Sequence, residues 1–287
     1  MDTLVSVRVD GQKEIISACR QLLSGLEDEL SSHVEGGQIE KYNTSESGCV
    51  LTDNALELIG VSQKITEGTS GAFSVFSGGL VSLWSESAVL PDGEQIRNAL
   101  AGVCFSPETD GSYLKRSNSI TKLELGGIAK GYACDKAVAL MKEMGAESGM
   151  ISFSSSIGVF GTNPDGAAWR IAVKDPFDTQ RNIGIISLSE GFLSVSGDYE
   201  RWYTIDGKEY NHIIDLKSGM PVDNGVHSVV VIAPNGAESD GLSTAFFAMG
   251  CEAASAYAEG RDIKYLFITD DGVFMNEGMK EIFKELS

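Results

Sequence analysis

The chain has 287 residues and a formal net charge of −19, with 41 acidic residues against 22 basic ones. Hydrophobic residues make up 42% of it and charged residues 22%, which is the composition of an ordinary globular protein rather than a disordered one. A surface this acidic repels nucleic-acid phosphates and anionic lipid, so we expect neither as a partner. No apolar run reaches the ~20 residues that span a bilayer, so we expect no transmembrane segment.

The first half of the chain is predicted to be rich in helices. Its predicted elements are, in chain order, a strand (4–9), three helices (10–30, 54–67 and a short one from 92), a strand (119–125) and a helix (128–144). Asp10 and Asn54 are the predicted N-caps of the first two helices. Asp92 followed by Gln95 resembles a capping box, and Gly145 is a natural stop for the last helix.

The second half carries more strand patterns, which are separated by Gly, Asp, Asn or Pro. In chain order it has strands (169–174, 182–188, 192–196, 201–205 and 228–233), helices (242–249 and 252–260), a hairpin (264–275) and a closing helix (279–286). Strands that follow strands, with few crossover helices, indicate an α+β fold with largely antiparallel sheets and a few packed helices. We expect one domain over residues 1–287, or two intimate subdomains within it.

A strand-to-helix turn at residues 124–132 has features of a phosphate site. Gly126 and Gly127 let a ligand approach the backbone closely, and the helix start offers free N–H groups and a partial positive charge. Lys130 adds a full charge, and together these features suit a phosphate group. The pattern matches neither a P-loop nor the dinucleotide fingerprint, so a tight turn with a surface lysine stays the alternative.

His212 is a candidate general base. It lies at the edge of an apolar strand, with Asp215 three residues on. A histidine that a nearby carboxylate orients can take the proton of a hydroxyl nucleophile. The alternative is a histidine at the edge of the core that holds a turn by hydrogen bonds.

Asp240 and Thr244 are candidate ligands for a divalent cation. If Asp240 lies at a helix start, Thr244 is one turn further on and points the same way. A carboxylate and a hydroxyl in this arrangement are hard oxygen ligands for Mg²⁺, which substrate phosphates and water would complete. The alternative is that Asp240 is simply the N-cap of the helix.

Taken together and in this order, these segments resemble the ApbE-like family of FAD:protein FMN transferases. The resemblance covers almost the whole chain, and its motifs occur in register. The similar segments are residues 1–3 (M-D-T), 70–73 (S-G-A-F), 125–133 (L-G-G-I-A-K-G-Y-A), 196–201 (S-G-D-Y-E-R), 212–221 (H-I-I-D, then G-x-P) and 240–244 (D-G-L-S-T). The resemblance implies an ApbE-like fold and an FAD site built from the three clusters above.

Site residues follow from the same resemblance. It implies FAD contacts from Glu124 and Lys130, and Mg²⁺ ligation by the Gly127 carbonyl, Asp240 and Thr244. The flavin or adenosine pocket would be lined by further residues, namely Ala72, Phe73, Ser74 and Ile214, with the backbone of Met1. His33 aligns loosely with a position over the nucleotide.

The implied activity is Mg²⁺-dependent transfer of the FMN half of FAD onto a Thr or Ser hydroxyl of an acceptor flavoprotein, with release of AMP and with His212 as base. The acceptor would carry a D-[ST]-x-x-T type motif. Three alternatives stay open: a Mg²⁺-dependent FAD pyrophosphatase that makes FMN and AMP, a non-catalytic FAD-binding protein, and a degenerate structural homologue.

The chain departs from the family pattern at four places. Ser74 stands where an Asp is usual, which bears on FAD affinity, and residues 153–157 (F-S-S-S-I) replace a G-G-D or G-G-N turn. Serine does not adopt positive φ as freely as glycine. Leu216 and Gly241 replace a usual Pro and a common Ala. None of the implied metal ligands, the lysine or the histidine is lost, so activity is the favoured expectation.

The N-terminus begins MDTLVSVRV, without a basic n-region or a long apolar h-region. No lipobox is visible, and the five scattered cysteines favour reduced thiols. We therefore expect a cytoplasmic protein for the sequence as written. The alternative is an extracytoplasmic, membrane-anchored protein whose export signal has been trimmed.

Overall fold

Antiparallel strand pairing organises the chain, which the computed structural model describes over residues 4–11, 13–87 and 89–286. The strands are β1 (Ser6–Val9), β2 (Gly48–Val50), β3 (Thr109–Asp110), β4 (Tyr113–Lys115), β5 (Gly149–Ser152), β6 (Ser156–Phe160), β7 (Trp169–Lys174), β8 (Asn182–Leu188), β9 (Gly191–Gly197), β10 (Trp202–Ile205), β11 (Lys208–Asn211), β12 (Val226–Ala233), β13 (Lys264–Thr269), β14 (Gly272–Met275) and β15 (Phe283–Glu285). The helices are α1 (Lys13–Leu30), α2 (Gln38–Thr44), α3 (Asp53–Gly68), α4 (Gly78–Glu86), α5 (Gly93–Leu100), α6 (Ala129–Glu143), α7 (Gly236–Met249), α8 (Cys251–Ala258) and α9 (Glu277–Lys280).

The largest sheet has seven strands in the order β1-β5-β6-β9-β12-β13-β14, and each neighbouring pair is antiparallel. Side chains of a strand alternate between the two faces of its sheet. Along β12, Val229 and Val231 pack into a core shared with the helices, whereas Val230 and Ile232 pack into a second core on the other face. Burial on both faces explains why β12 is a continuous apolar run rather than an alternating pattern.

Helices cover one face of the large sheet, and a small sheet covers the other. The first core contains buried side chains from α1, α3, α6 and α7, and the second contains Trp169, Ile171 and Ile186 of the small sheet β15-β8-β7. Two minor sheets, β2-β4-β3 and β10-β11, are the remaining sheets in the described part of the chain. This layered arrangement confirms the predicted α+β fold with largely antiparallel sheets.

The helices α6 and α7 cross at direct backbone contact. A Cβ atom added to Gly131 would overlap the carbonyl group of Gly236, and one added to Gly236 would overlap the carbonyl of Gly131. The carboxylate of Asp135 on α6 accepts hydrogen bonds from the backbone N–H groups of Gly236 (2.5 Å) and Ala237 (2.9 Å), the first residues of α7. Two glycines and one capping carboxylate therefore fix how these two helices meet.

Several elements lie where the sequence predicts them. The strands β7 and β8 coincide with the predicted segments 169–174 and 182–188, and α6 differs from its predicted range by one residue at each end. The capping box of Asp92 and Gln95 is present at the start of α5. Within the described ranges we find no helix that is both long and apolar enough to cross a bilayer.

Two predictions for the first half are wrong. Residues 119–125 do not form a strand, although the backbone N–H of Glu124 donates to the carbonyl of Val75. The N-cap of α3 is Thr52 rather than Asn54, because the Thr52 hydroxyl accepts a hydrogen bond from the N–H of Ala55. The side chain of Asn54 is instead hydrogen-bonded to Glu29 and Tyr132.

Two predictions for the second half are also wrong. The helix predicted from residue 242 begins at Gly236 with Asn235 as N-cap, so Asp240 lies inside α7 and is not its cap. The closing helix over residues 279–286 is instead the short α9 followed by β15. Because β15 pairs with the edge of β8, tertiary pairing overrides the helical propensity of this terminal segment.

Candidate active site

A cavity of about 1200 Å³ opens beside the start of α6. It exceeds the range of about 300–1,000 Å³ that is usual for pockets for drug-sized ligands, so it has room for a dinucleotide. Every predicted site residue within the described part of the chain lines it, namely His33, Ala72, Phe73, Ser74, Glu124, Gly127, Lys130, His212, Ile214, Asp240 and Thr244. The remaining prediction, Met1, lies outside the described residues.

The cavity is much less negative than the chain as a whole. Its lining carries equal numbers of basic residues (Lys122, Lys130, Lys174 and Arg201) and acidic residues (Glu86, Glu124, Glu200 and Asp240). The chain, in contrast, has a net charge of −19. The start of α6 adds a partial positive charge to the cavity, so an anionic ligand can bind here in spite of the acidic surface.

The turn before α6 is held by its own acidic residue. Glu124 Oε1 accepts a hydrogen bond from the N–H of Gly126 at 2.9 Å, and Oε2 accepts one from the Ser32 hydroxyl at 2.8 Å. Lys130 Nζ donates to the carbonyl of Gly126 at 2.8 Å and lies 3.7 Å from Asp240 Oδ2. Glu124 therefore shapes the turn, and Lys130 places its charge between this turn and α7.

Asp240 is a buried carboxylate with donors on both oxygens. Its side chain is on the second turn of α7 and the residue is only 3% exposed. Oδ2 accepts the N–H of Gly131 at 3.0 Å, and Oδ1 accepts the Ser156 hydroxyl at 3.1 Å. Hydrogen bonds to both oxygens fix the orientation of the carboxylate, as is typical of metal-binding carboxylates.

Gly127 and Thr244 border the same small space. An ideal Cβ on Gly127 would lie 3.6 Å from Thr244 Oγ1 and 3.2 Å from the Phe73 ring, so the missing side chain leaves this space open. No described group of three or more His, Cys, Asp or Glu side chains could hold a metal ion. A cation here would need backbone, hydroxyl and phosphate oxygens beside the Asp240 carboxylate, and such a donor set suits Mg²⁺.

His212 is held by a backbone carbonyl and not by Asp215. Its Nδ1 lies 3.0 Å from the carbonyl oxygen of Arg201, whereas the Asp215 carboxylate accepts hydrogen bonds from Lys217 and Ser218 within its own turn. The predicted His212–Asp215 pairing is therefore wrong, because the Asp215 side chain closes a local turn. A carbonyl can only accept, so Nδ1 carries the proton and Nε2 is the nitrogen that can accept one.

The pKa of His212 is lowered to about 4, chiefly by burial. The hydrogen bond to the Arg201 carbonyl acts in the opposite direction, and the positive charges of Arg201 and Lys130 lower the pKa by smaller amounts. The imidazole is therefore neutral at physiological pH. A neutral imidazole with a free Nε2 can accept a proton from a hydroxyl group.

Phe73 and Ile214 supply the apolar part of the lining, and both residues are less than a tenth exposed. Ser74 replaces the usual acidic residue of the family, and its hydroxyl is engaged by the chain itself. It donates to the carbonyl of Cys104 at 2.8 Å and accepts the N–H of Phe76 at 3.2 Å, which caps the 3₁₀ turn Val75–Ser77.

The serine turn between β5 and β6 keeps a glycine-like conformation. Ser154 has a φ of +68°, in the left-handed region that favours glycine. Ser154 and Ser155 both line the cavity. A serine in this turn therefore adopts the left-handed backbone conformation that glycine adopts most easily.

Several lining residues have no role that the sequence predicts. Tyr199, Glu200 and Arg201 follow β9 within the recognised S-G-D-Y-E-R segment, and Lys174 ends β7. Burial raises the pKa of Glu200, while the charges of Lys130 and Lys174 act in the opposite direction. The family-like motif at residues 196–201 includes Tyr199, Glu200 and Arg201 and could have indicated them as site residues. No local sequence pattern marks Lys174.

Comparison with known proteins agrees with this geometry. The sequence profile of the ApbE family matches residues 1–267. The FAD:protein FMN transferase of Vibrio cholerae is 31% identical over 264 residues, which cover 88% of this chain and 79% of that protein.

Solved structures are similar over nearly the whole length. The flavin transferase ApbE from Vibrio cholerae superposes with a TM-score of 0.88 and 27% identity, covering 98% of this chain and 96% of the other. The ApbE protein from Thermotoga maritima gives a TM-score of 0.86 and 28% identity, with coverages of 99% and 95%. The chain therefore belongs to the ApbE family, the family that its sequence motifs predict.

Proposed function

We propose that this chain is a Mg²⁺-dependent FAD:protein FMN transferase, which moves the FMN half of FAD onto a Thr or Ser hydroxyl of an acceptor protein and releases AMP. The observation that carries the proposal is the meeting of Lys130, His212, Asp240 and Thr244 around one cavity. Relatives that bear the name FAD:protein FMN transferase match most of the chain, which supports the same activity.

FAD fits the cavity by size and charge. The free N–H groups at the start of α6 and the ammonium of Lys130 suit the pyrophosphate. The apolar surfaces of Phe73 and Ile214 suit the aromatic rings of the dinucleotide. Glu124, which is hydrogen-bonded to Gly126 and Ser32, keeps the turn below the pyrophosphate in place.

The residues present also fit Mg²⁺. Asp240, the Thr244 hydroxyl and the Gly127 carbonyl would hold the ion, with phosphate oxygens and water as its other ligands. Bound there, Mg²⁺ supplies positive charge that neutralises the pyrophosphate as the leaving group departs. The Asp240 carboxylate accepts hydrogen bonds from the Ser156 hydroxyl and from the N–H of Gly131.

His212 activates the acceptor. Its unprotonated Nε2 takes the proton of the Thr or Ser hydroxyl, and the oxygen bonds to the phosphorus of the FMN half. The bond from this phosphorus to the bridging oxygen breaks, and AMP leaves with that oxygen. The acceptor then carries FMN through a phosphoester. If water takes the place of the hydroxyl, the same steps give free FMN and AMP.

The test is an incubation of the full chain with FAD and Mg²⁺, with and without a peptide that carries a D-[ST]-x-x-T motif. We expect flavin fluorescence that stays with the peptide in a denaturing gel, together with one AMP per labelled peptide. The same peptide with alanine at its Ser and Thr positions is the control. AMP release without labelling would favour the pyrophosphatase alternative, and retention of intact FAD without either product would favour a binding protein.

A further inference from the structure

The carboxylate of Asp240 depends on a hydroxyl from the neighbouring sheet. Ser156 is the first residue of β6 and is fully buried, at 0% exposure. Its hydroxyl donates to Asp240 Oδ1 at 3.1 Å, while the N–H of Gly131 donates to Oδ2. One donor on each oxygen prevents the carboxylate from turning about its terminal torsion.

A second serine provides an internal reference. Ser194 on β9 is the direct partner of Ser156 across the two strands, and it is 1% exposed. Paired residues of antiparallel strands point to the same face of a sheet. The Ser194 hydroxyl nevertheless has no hydrogen-bond partner among the described residues. The two serines are thus equally buried and lie on the same face of the sheet with the same side chain. They differ in that only Ser156 is hydrogen-bonded to Asp240.

Loss of the Ser156 hydroxyl would change what Asp240 can do. Oδ1 would then lack its donor in a buried environment, which is unfavourable for a charged oxygen. Lys130 Nζ lies only 3.7 Å from Oδ2, so a carboxylate freed on one side could turn towards this ammonium. A closer ion pair with Lys130 would neutralise the carboxylate charge of Asp240 that a divalent cation needs.

We propose that Ser156 is a positioning residue for the divalent cation, acting through Asp240. The inference rests on the proposed function only in that Asp240 is taken as a metal ligand. Outer-shell partners of metal ligands typically change metal affinity by about 10–100-fold when they are removed. We expect the same loss of metal affinity here, while the cavity itself stays folded.

The experiment is a titration of the full chain with Mn²⁺, in which electron paramagnetic resonance measures the free ion. We expect Ser156→Ala to raise the dissociation constant by about 10–100-fold and Ser194→Ala to leave it within about twofold of the wild type. Thermal unfolding without metal shows whether either variant loses stability. If Ser156→Ala fails to fold, Ser156→Cys keeps a slightly larger side chain with a weaker donor, and it should also bind Mn²⁺ more weakly.

Unchanged Mn²⁺ affinity in the Ser156 variant, or an equal loss in Ser194→Ala, would overturn the inference. Asp240→Ala separates this result from the proposed function. If the wild type binds no Mn²⁺, or if Asp240→Ala still binds it, the metal assignment itself fails and the role of Ser156 fails with it. If Asp240→Ala loses binding while Ser156→Ala keeps it, only the role of Ser156 fails.

Discussion

Gly127 and Thr244 lie side by side where the start of α6 approaches α7, and a Cβ added to Gly127 would lie 3.6 Å from Thr244 Oγ1. The closeness follows from the crossing of the two helices, at which the backbones of Gly131 and Gly236 touch. A larger residue at either position of the crossing would push α7 away. The crossing therefore brings a backbone carbonyl, a hydroxyl and the Asp240 carboxylate to one place.

Replacement of Thr244 by Val removes the hydroxyl but keeps the shape of the side chain. We expect the Mg²⁺ concentration for half-maximal FMN transfer to rise by at least about tenfold, because one oxygen ligand is lost. Thr244→Ser keeps the hydroxyl and should stay close to the wild type. The measurement is the transfer rate against Mg²⁺ concentration. An unchanged requirement in Thr244→Val would remove Thr244 from the metal site.

Replacement of His212 by Ala should lower the rate of transfer by about 10²–10⁴-fold, because the hydroxyl of the acceptor loses its base. FAD binding should persist, since the role proposed for the imidazole is to take a proton from the acceptor and not to bind FAD. Equilibrium binding of FAD and single-turnover transfer measure the two effects separately. A variant that fails to fold would favour a purely structural histidine.

The pH dependence of transfer should show the low pKa of His212. Burial lowers this pKa to about 4, so the base is unprotonated at every pH above that value. We expect no inflection of the single-turnover rate near 6.5, the ordinary pKa of histidine, and a fall only as the pH drops towards about 4. A bell-shaped or sigmoid profile centred near 6.5 that disappears in His212→Ala would contradict this description of the site.

His227 should make stability depend on pH. Its Nδ1 and Nε2 lie 2.8 Å from Asp198 and 2.9 Å from Asp270, so both ring nitrogens must donate, as only the protonated imidazole can. Partial burial lowers the pKa of His227, but the hydrogen bonds and charges of Asp270 and Asp198 outweigh it and raise the pKa. The Phe177 ring packs against the imidazole at 4.7 Å.

Because the folded-state pKa of His227 is raised, its stabilising effect is complete below about pH 6.5 and is lost as the pH rises through the folded value. Urea unfolding of the wild type should therefore give a lower free energy of unfolding at pH 8.5 than at pH 6.5. His227→Gln should weaken this slope, whereas the same change at the exposed His33 should keep it. Equal slopes in the wild type and His227→Gln would contradict the charged histidine.

Glycine adopts a positive φ at lower cost than serine, although it loses more backbone entropy on folding. The difference between these two effects should make Ser154→Gly more stable by about 0.5–1 kcal/mol. The matched control is Ser155→Gly in the same turn. Ser155 is not among the described residues with positive φ, so the change should destabilise the protein. Urea denaturation gives both values. A loss of stability in Ser154→Gly would show that the serine side chain matters more than the backbone strain.

Local sequence patterns are sufficient for elements that follow a single periodicity between clear stop signals. The helix α6 ends at Glu143 with Met144 as C-cap, and the next residue, Gly145, has a φ of +88° as a terminating glycine should. The strands β5 and β6 are not predicted, although they lie inside the large sheet. Every residue of β6 is buried, so no alternation of apolar and polar residues marks it, and its Ser and Gly residues favour turns in isolation.

The site shows the same limit. Several family-like motifs in the same order indicate the whole fold, and the fold determines where each motif lies. The motifs therefore predict which residues surround one cavity. They do not predict which partner each side chain takes. His212 has a nearer carboxylate in sequence but contacts the Arg201 carbonyl, and Asp240 is oriented by Ser156 from a strand that carries no local signal. Such partners arise only when distant segments meet.

The most direct test of the account is a crystal structure of His212→Ala with FAD and Mg²⁺, since this variant should bind FAD and turn it over slowly. We expect the pyrophosphate within hydrogen-bonding distance of Lys130 Nζ and of the free N–H groups at the start of α6. We also expect the ion to be bound by Asp240 and Thr244. A structure in which FAD lies outside this cavity, or in which its pyrophosphate is remote from α6, would contradict the account.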